Sequence, residues 1–286
     1  MEPNLIILAG GASSRMKPPA AVVADKSATR EAQAPTKTML PVGPGGRPFL
    51  DFLLGNAAEA GYRNILIVVA GMDHSIRDHC GSFGGAKPFS SLNFSFVEQQ
   101  VPAGRLKPLG TADALLQALA ATPDWRGQRF TVCNSDNLYS APALRLLLQD
   151  THENATIGYD QSKLGYPLER LLQFAVILKD HAGFLRDILE KPSPEEAKQA
   201  AAGAAHVEIS MNLWRFSYDR ILPYLERTPL HALRKEKELP VTVKMMAAEL
   251  PHSIFVIPRA EQVIDLTGPD DIPVVREYLS RKFPDL

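Results

Sequence analysis

The first half of the chain alternates short apolar runs with longer segments in which apolar residues recur at helical spacing. The runs at 4–10, 64–70, 92–98 and 129–134 predict β-strands. The first two are apolar without alternation, which is typical of strands buried on both faces. Helical patterns are found at 48–60, 73–80, 110–121 and 141–150. This alternation predicts an α/β fold with a doubly wound (Rossmann-like), mostly parallel sheet that binds ligands at the carboxyl ends of its strands.

The second half of the chain has a less regular pattern. Strands are predicted at 154–160, 172–179, 206–217 and 253–257, and helices at 194–202, 218–226, 241–250 and 270–282. Longer strands with fewer helices indicate an added mixed sheet that widens the first one. Two segments rich in Pro, Ala and basic residues, 16–36 and 101–109, are predicted to be loops.

Composition restricts the class of protein and its partners. The 286 residues are 45% hydrophobic and 22% charged with a net charge of -1, which is ordinary for a globular protein and gives no basic excess for nucleic acid or an anionic membrane. Cys80 and Cys133 have no metal-binding spacing and fit a reducing compartment. The first apolar run is short and lacks a basic flank, so it is neither a signal peptide nor a membrane span. We therefore expect a cytoplasmic protein.

The first apolar run ends in two glycines and a polar cluster. Gly10 and Gly11 precede Ser13, Ser14 and Arg15. Exposed backbone N–H groups in such a turn bind anions, and the absent side chains let a phosphate approach closely. A plain turn between strand and helix would explain the glycines but not the serines and the arginine. Neither GxGxxG nor GxxxxGK[ST] is present, so the pattern predicts a phosphate site that is not one of those two loops.

Six motifs occur in an order that resembles the sugar-1-phosphate nucleotidylyltransferases, also called nucleoside-diphosphate-sugar pyrophosphorylases. They are LAGGASSRM, KTMLPVG from Lys37, LGTADA at 109–114, NSDN with Asp136, EKP at 190–192 and VIDLTGPDD with Asp265. The resemblance covers nearly the whole chain and implies the nucleotidyltransferase type of α/β sheet. It also implies one domain over 1–286, with a nucleotide-binding half over about 1–140 and a sugar-binding half over about 141–286.

The resemblance implies that a nucleoside triphosphate and a sugar 1-phosphate are joined into a nucleotide sugar, with release of pyrophosphate. The sugar phosphate oxygen attacks the α-phosphorus in line, so the chemistry needs cations and a metal site rather than a protein nucleophile. Base contacts in this family are largely main-chain. We therefore predict neither the base nor the oligomeric state.

Two basic residues are assigned to the phosphates by the resemblance. Arg15 is expected to contact the β and γ phosphates, which suits a guanidinium fork. Lys37 is expected to contact the transferring phosphate, and Lys17 is a rival that we rank second because the pattern after Lys37 matches the family. The spacing from Arg15 to Lys37 is about twice that of the family, and we predict that the extra residues, 17–36, form a mobile lid over the nucleotide.

Two aspartates are expected to bind Mg²⁺. Asp136 follows an apolar strand, and Asp265 occupies a second such position in VIDLTG. Either residue alone would be an ordinary cap or turn residue. As a pair that matches two positions of the family, they are predicted ligands, because Mg²⁺ takes a few protein oxygens and completes its shell with phosphates and water.

Further residues are assigned to the nucleotide. By the resemblance, the phosphate loop and the elements that contact base and ribose comprise Leu8, Ala9, Gly10, Gly11, Gln99, Gly110 and Thr111. A glutamine amide pairs with a base edge, and a helix N-terminus supplies backbone donors. Gln100 could replace Gln99 through a shift of one residue. Arg105 and Lys107 have no counterpart in the family and are either solvated or part of the lid.

The sugar is assigned to the EKP motif and two later positions. The resemblance implies that Lys191 binds the sugar phosphate and Glu190 the sugar hydroxyls, although a charged strand end before a helix is an alternative. Asn212 resembles the family's sugar-contacting asparagine, and Trp214 is expected in the core. Ala175 stands where the family usually has glycine, and its methyl group would narrow the pocket, so the sugar stays open.

Two other functions compete with this one. GGASSRM also resembles enzymes that act on other phosphorylated acceptors, such as a phospho-alcohol or a molybdenum-cofactor precursor. A catalytically silent homologue that binds nucleotide sugars is the second alternative, and it would be expected to lose some of the basic and acidic residues that are all present here. Because the sequence ends soon after Asp265, we expect neither an acyltransferase β-helix nor an activator-binding domain.

Overall fold

A computed structural model describes residues 2–10, 36–71, 73–84, 88–105, 107–201 and 207–284. Its strands are β1 Asn4–Leu8, β2 Asn64–Ala70, β3 Asn93–Gln99, β4 Arg129–Asn134, β5 Asn137–Leu138, β6 Ala155–Asp160, β7 Ala175–Lys179, β8 Leu185–Glu190, β9 Glu208–Ser210, β10 Leu213–Ser217, β11 Phe255–Arg259 and β12 Ile264–Asp265. Its α-helices are α1 Phe49–Ala60, α2 Ser75–Gly81, α3 Thr111–Ala121, α4 Ala141–Gln149, α5 Leu168–Leu171, α6 Pro194–Ala201, α7 Tyr218–Arg227, α8 Leu239–Glu249 and α9 Ile272–Lys282.

Ten of these strands form one sheet. Its order is β3-β2-β1-β4-β10-β6-β9-β7-β8, and β11 pairs with β6. The first four strands are parallel, and β10 joins them by pairing antiparallel to β4. Strands β5 and β12 form a separate antiparallel ribbon. The predicted α/β class is therefore confirmed, and the added mixed sheet is a continuation of the parallel one.

The alternating side chains of β1 enter two different cores. Leu5 and Ile7 pack in the core that includes Leu53 of α1, while Ile6 lies in the core that includes Leu115 of α3. A strand with helices on both faces must be apolar at every position, because neither face meets water. This explains why the first run of the sequence lacks polar alternation.

The second half departs from the predicted elements at several points. The strand predicted at 206–217 is divided into β9 and β10 by Met211 and Asn212. The strand predicted at 172–179 begins only at Ala175, because α5 precedes it. Strands β5, β8 and β12 were not predicted; β5 and β12 have two residues each, too few for a period to appear.

An arginine is buried in the centre of the sheet. Trp214 is completely buried and stacks on Phe216, as expected for a core residue. The side chain of Arg215, between them in β10, is also fully buried, and its Nη2 lies 3.2 Å from Glu2 Oε2. In the described ranges, no helix combines the length and apolarity that crossing a membrane requires.

Candidate active site

A cleft opens at the carboxyl ends of β1, β3 and β4. The chain proceeds from β1 to β2 and β3 on one side, whereas β4 lies on the other side of β1. Such a reversal of strand order is where open α/β sheets bind their ligands. The cleft has a volume of about 360 Å³. It is lined by Leu8, Ala9, Gly10, Thr36, Lys37, Gln99, Lys107, Pro108, Gly110, Thr111, Ala114, Asn134, Ser135, Asp136, Glu236, Glu238 and Thr267.

The cleft brings together eight of the residues predicted from the sequence. They are Leu8, Ala9, Gly10, Lys37, Gln99, Gly110, Thr111 and Asp136. Five other predicted residues are not part of its lining: Ala175, Glu190, Lys191, Asn212 and Asp265. Gly11, Arg15, Lys17 and all of the predicted lid except Thr36 lie outside the described residues.

Lys37 and Asp136 form an ion pair at the end of β4. The Lys37 Nζ donates a hydrogen bond to the Asp136 Oδ2. The next residue, Thr38, donates its hydroxyl to the Ser135 carbonyl at 3.0 Å, and the Ser135 N–H donates to the Leu8 carbonyl at 3.1 Å. These bonds join the Lys37 segment to the ends of β4 and β1, so a cation and a carboxylate face the cleft together.

Asp265 is brought next to this pair by the short ribbon of β5 and β12. It lies opposite Asn137 in the ribbon, and the Leu266 N–H donates to the Asp136 carbonyl at 2.8 Å. Only 5% of Asp265 is exposed. Burial, followed by the negative charge of Asp136, raises the pKa of Asp265 to about 6.

Arg170 is a cation at this site that the sequence did not indicate. Its Nη2 lies 2.5 Å from the Asp265 Oδ2 and 3.2 Å from the Asp271 Oδ2. The Thr267 hydroxyl adds a bond of 2.8 Å to the Asp265 Oδ1. The acidic pair is thus partly neutralised by one cation on each carboxylate, Lys37 and Arg170.

The donor set at this edge fits a magnesium ion. Asp136 and Asp265 supply two neighbouring carboxylates, and hard oxygen ligands of this kind are what Mg²⁺ prefers. Over the ranges that the structure describes, there is no group of three or more His, Cys, Asp and Glu residues placed to hold a metal. Two protein carboxylates are sufficient for a site whose remaining ligands are substrate phosphates and water.

Gln99, and not Gln100, lies in the cleft. Gln99 is buried at the end of β3, and its Nε2 donates to the Gly110 carbonyl at 3.0 Å and to the Asp113 Oδ2 at 3.1 Å. Gln100 is exposed, and its backbone N–H donates to the Gln117 Oε1 at 2.8 Å. The alternation of side chains along β3 therefore places Gln99 in the cleft, and its contact with the base stays a prediction.

Gly110 is required where α3 begins. Its φ of 104° is in the left-handed region, and a Cβ there would lie 2.6 Å from the Lys237 carbonyl oxygen. The same carbonyl accepts from the Ala112 N–H at 3.0 Å, and the Leu239 N–H donates to the Thr111 hydroxyl at 3.0 Å. The loop before α8 therefore packs directly on the LGTADA motif.

This loop supplies part of the cleft wall that sequence reasoning missed. Glu236 and Glu238 line the cleft, and their only signal in the sequence is the charged run RKEKE at 234–238. Of the two basic residues without a counterpart in the family, Lys107 lines the cleft and Arg105 donates to the Lys235 carbonyl at 2.6 Å. Arg105 thereby ties the two loops together.

The residues predicted to bind sugar lie on β7, at the end of β8 and between β9 and β10. Ala175 pairs with Glu190 on one side and with Ser210 on the other. Asn212 comes two residues after Ser210 and directly before Leu213, which pairs with Cys133 of β4, so it lies near the end of β4. Lys191 and Asn212 have φ values of 47° and 56°. A left-handed backbone is uncommon for residues other than glycine, although asparagine adopts it more readily than most.

A charged network links Glu190 to the cleft. The Arg234 Nη2 lies 3.4 Å from the Glu190 Oε1 and also binds Glu238, which lines the cleft. Burial, followed by the negative charge of Glu238, raises the pKa of Glu190. The EKP segment is therefore connected to the wall of the cleft through Arg234.

Comparisons with known proteins agree with this architecture. Residues 4–207 match the family described as nucleotidyl transferase. The chain is 26% identical over 189 residues to the glucose-1-phosphate adenylyltransferase of Bifidobacterium longum strain DJO10A, covering 65% of this chain and 42% of that protein. It is 27% identical over 188 residues to the enzyme of the same name from Rhodococcus erythropolis, covering 66% and 43%. The chain thus spans less than half the length of these curated relatives.

Solved structures show the same fold. A UDP-glucose pyrophosphorylase complexed with UDP-glucose superposes with a TM-score of 0.71 at 18% identity, covering 99% of this chain and 100% of that one. The UDP-glucose pyrophosphorylase from Acinetobacter baumannii gives a TM-score of 0.68 at 18% identity, covering 100% and 96%. With the family match over 4–207, these findings show that the chain belongs to the nucleotidyl transferase family.

Proposed function

We propose that this protein joins a nucleoside triphosphate and a sugar 1-phosphate to give a nucleotide sugar and pyrophosphate. The observation that carries the proposal is the meeting of Lys37, Asp136 and Asp265 at one edge of the sheet, beside a cleft with glycines in its wall. The family membership and the names of the similar proteins support the same reaction class.

The reaction requires a charged acceptor and a charged donor to meet in line. An oxygen of the sugar phosphate forms a bond to the α-phosphorus, and the bond from that phosphorus to the oxygen bridging to the β-phosphorus breaks. The electron pair leaves with pyrophosphate. Lys37 forms an ion pair with Asp136 in the cleft. We propose that it stabilises the charge that develops on the transferring phosphate.

Asp136 and Asp265 are proposed to hold a magnesium ion, which supplies charge neutralisation and orientation to the phosphates when it is bound. Thr267 keeps Asp265 oriented by donating to both of its carboxylate oxygens, at 2.8 and 2.9 Å. Arg170 balances the charge of Asp265 from the other side. These contacts fix one carboxylate in place before any substrate arrives.

The nucleotide is proposed to bind between the end of β1 and the start of α3. Gly10 and Gly110 line the cleft without side chains, and Thr111, the first residue of α3, lines it beside Gly110. Gln99 is the side chain at the end of β3 that offers a hydrogen bond to a base.

The sugar phosphate is proposed to bind along the strands that carry Ala175, Glu190 and Asn212, with Lys191 contacting its phosphate. The Ala175 methyl group reduces the space above the sheet at this point. A carboxylate with a raised pKa, such as Glu190, can accept from or donate to a hydroxyl group, depending on the pH.

Pyrophosphate release tests the reaction. We expect release with at least one pair in a matrix of the common nucleoside triphosphates and sugar 1-phosphates in the presence of Mg²⁺. The Asp136→Asn variant is expected to lack this activity, and Asp124→Asn, an exposed aspartate outside the cleft, is expected to keep it. Release only with other phosphorylated acceptors would replace the sugar in this proposal, and nucleotide-sugar binding without any release would indicate a silent homologue.

A further inference from the structure

The amide of Gln99 is held in one orientation by Asp113. Asp113 belongs to the first turn of α3 and is 8% exposed. Its Oδ2 accepts from the Gln99 Nε2 at 3.1 Å, and the Gly110 carbonyl accepts from the same nitrogen at 3.0 Å. A carbonyl and a carboxylate can only accept, so the atom facing them must be the nitrogen, and both of its hydrogens are used.

The oxygen of this amide therefore faces the opposite direction, toward Gly10. A Cβ added to Gly10 would lie 3.1 Å from the Gln99 Oε1. Gly10 and Gln99 both line the cleft. Among the described residues, none donates a hydrogen bond to this oxygen. Gln99 thus presents a hydrogen-bond acceptor, and no donor, beside the glycine at the end of β1.

The hydrogen bonds of Asp113 extend beyond its own helix. An acidic residue in the first turn of a helix usually stabilises the helix dipole or binds its free N–H groups. The Asp113 Oδ2 is instead shared by two side-chain amides, since the Gln117 Nε2 also donates to it at 2.8 Å. One of these amides belongs to the neighbouring strand and reaches the cleft.

We propose that Asp113 is a positioning residue that fixes Gln99 as an acceptor, so that the bound base must direct an N–H group at the Gln99 Oε1. This inference rests on the proposed function and names the hydrogen bond by which its base is held. The N–H belongs either to a ring nitrogen, as in uracil, thymine and guanine, or to an exocyclic amino group, as in adenine, cytosine and guanine. A base that turns an acceptor toward the Gln99 Oε1 is repelled.

Direct binding of nucleotides tests the inference apart from turnover. ATP, CTP, GTP, UTP and dTTP would be titrated into the wild-type protein by calorimetry. The tightest of them would then be compared with its analogue methylated at the ring N–H or the amino group. We expect methylation at one of these positions to weaken binding roughly tenfold or more, the loss expected when a hydrogen bond is removed. The position that matters distinguishes a ring N–H from an amino group.

Two substitutions at Asp113 separate positioning from helix charge. Asp113→Asn keeps an acceptor in the same place but removes the charge, and we expect it to bind nucleotides like the wild type. Asp113→Leu removes the acceptor, and we expect roughly tenfold weaker binding together with a smaller effect of methylation. At saturating nucleotide its kcat should be near that of the wild type, so the change falls on KM. Gln117→Leu, which leaves the Gln99 contact in place, is the matched control.

The possible outcomes are distinct. Wild-type binding that is insensitive to methylation overturns the inference, even if Asp113→Leu does not fold. Equal weakening in Asp113→Asn and Asp113→Leu also overturns it, because that result reports helix charge. Loss of thermal stability in Asp113→Leu, with nucleotide binding and the effect of methylation unchanged, indicates a structural role and overturns it as well. Triphosphate binding and an effect of methylation as expected, without pyrophosphate release, would sustain the inference and contradict the proposed function. No binding of any triphosphate overturns both.

Discussion

Two sides of this sheet, the one proposed to bind the nucleotide and the one proposed to bind the sugar, position their residues in different ways; they are called the nucleotide side and the sugar side below. On the nucleotide side, Gln99 is the last residue of β3, and Asp136 lies two residues after the end of β4; both strands are regular and parallel. On the sugar side, Lys191 and Asn212 occupy interruptions of the strands and have left-handed backbones. Topology alone brings strand ends together. An irregular backbone must instead be stabilised by its surroundings, so the sugar side is expected to depend more on contacts remote in sequence.

The charges of the two sides are arranged alike. On the nucleotide side, burial and then the negative charge of Asp136 make Asp265 hold its proton more tightly. On the sugar side, Arg234 serves both Glu190 and Glu238, and burial followed by the charge of Glu238 has the same effect on Glu190. In both clusters, burial and a second carboxylate together raise the pKa of the first one.

The largest effect is expected from the carboxylate on the nucleotide side. Asp136→Asn keeps the shape of the side chain but removes the charge that Lys37 and a metal would meet. We expect pyrophosphate release to fall by at least about 10²- to 10³-fold, because an electrostatic element of the reacting centre is lost. Thermal unfolding should show a folded protein. Substantial remaining turnover would remove Asp136 from the metal site.

The next effect concerns the glycine that begins α3. Gly110→Ala combines a left-handed φ with a Cβ 2.6 Å from a backbone carbonyl. We expect a loss of about 1–3 kcal/mol in the free energy of unfolding and a raised KM for the nucleotide. Gly127→Ala is the matched control, because Gly127 also has a positive φ, of 74°, but an added Cβ meets nothing within 4 Å. Equal losses of stability in the two variants, measured in urea, would show that the Lys237 contact is unimportant.

Gly10, two residues after the end of β1, should affect nucleotide binding more than stability. A Cβ on Gly10 would lie 3.1 Å from the Gln99 Oε1, the acceptor assigned to the base. We expect Gly10→Ala to raise the KM for the nucleotide several-fold, while the free energy of unfolding changes by less than about 1 kcal/mol. Gly81→Ala, where an added Cβ meets nothing within 4 Å, is the control. A large loss of stability with an unchanged KM would contradict this role.

The smallest effect is a pH dependence on the sugar side. Because the pKa of Glu190 is raised in the folded protein, the folded state holds this proton more tightly than the unfolded state does. The free energy of unfolding should therefore fall as the pH rises from 4.5, the usual pKa of glutamate, through the raised pKa of Glu190. Glu190→Gln should flatten the profile of Tm against pH in that window. The exposed Glu277→Gln should leave it unchanged, and an identical slope in all three proteins would contradict the network.

The sequence predicted more of the nucleotide side than of the sugar side. The bounds of β2 and β4 are those predicted. In β2 the pattern is apolar without alternation, as is typical of strands buried on both faces. The division of 206–217 at Asn212 was not predicted, because a single left-handed residue leaves the apolar period unchanged. Likewise, β8 escaped prediction because its segment LRDILE mixes charged and apolar residues.

The candidate site shows the same limit. Its motif residues could be predicted because each occupies a recognisable local pattern. Arg170 could not, because nothing near it in sequence indicates Asp265, and neither could the contact of Arg234 with Glu190, 44 positions away. The choice between Gln99 and Gln100 also needed the structure, since adjacent residues of one strand differ only in the face that they occupy.

By itself, the sequence determined the class of fold, the parallel half and the order of the family's motifs, because periodicity, glycine turns and strand ends are local properties. Only the tertiary structure decided what surrounds those motifs. Arg170 reaches Asp265 across 95 positions of the chain. The loop of Lys237 packs on Gly110, and Asp113 fixes the amide of Gln99. Such contacts join segments that are distant in sequence and meet only when the sheet has formed with a core on each face. They set the charge and the hydrogen-bonding direction of the site.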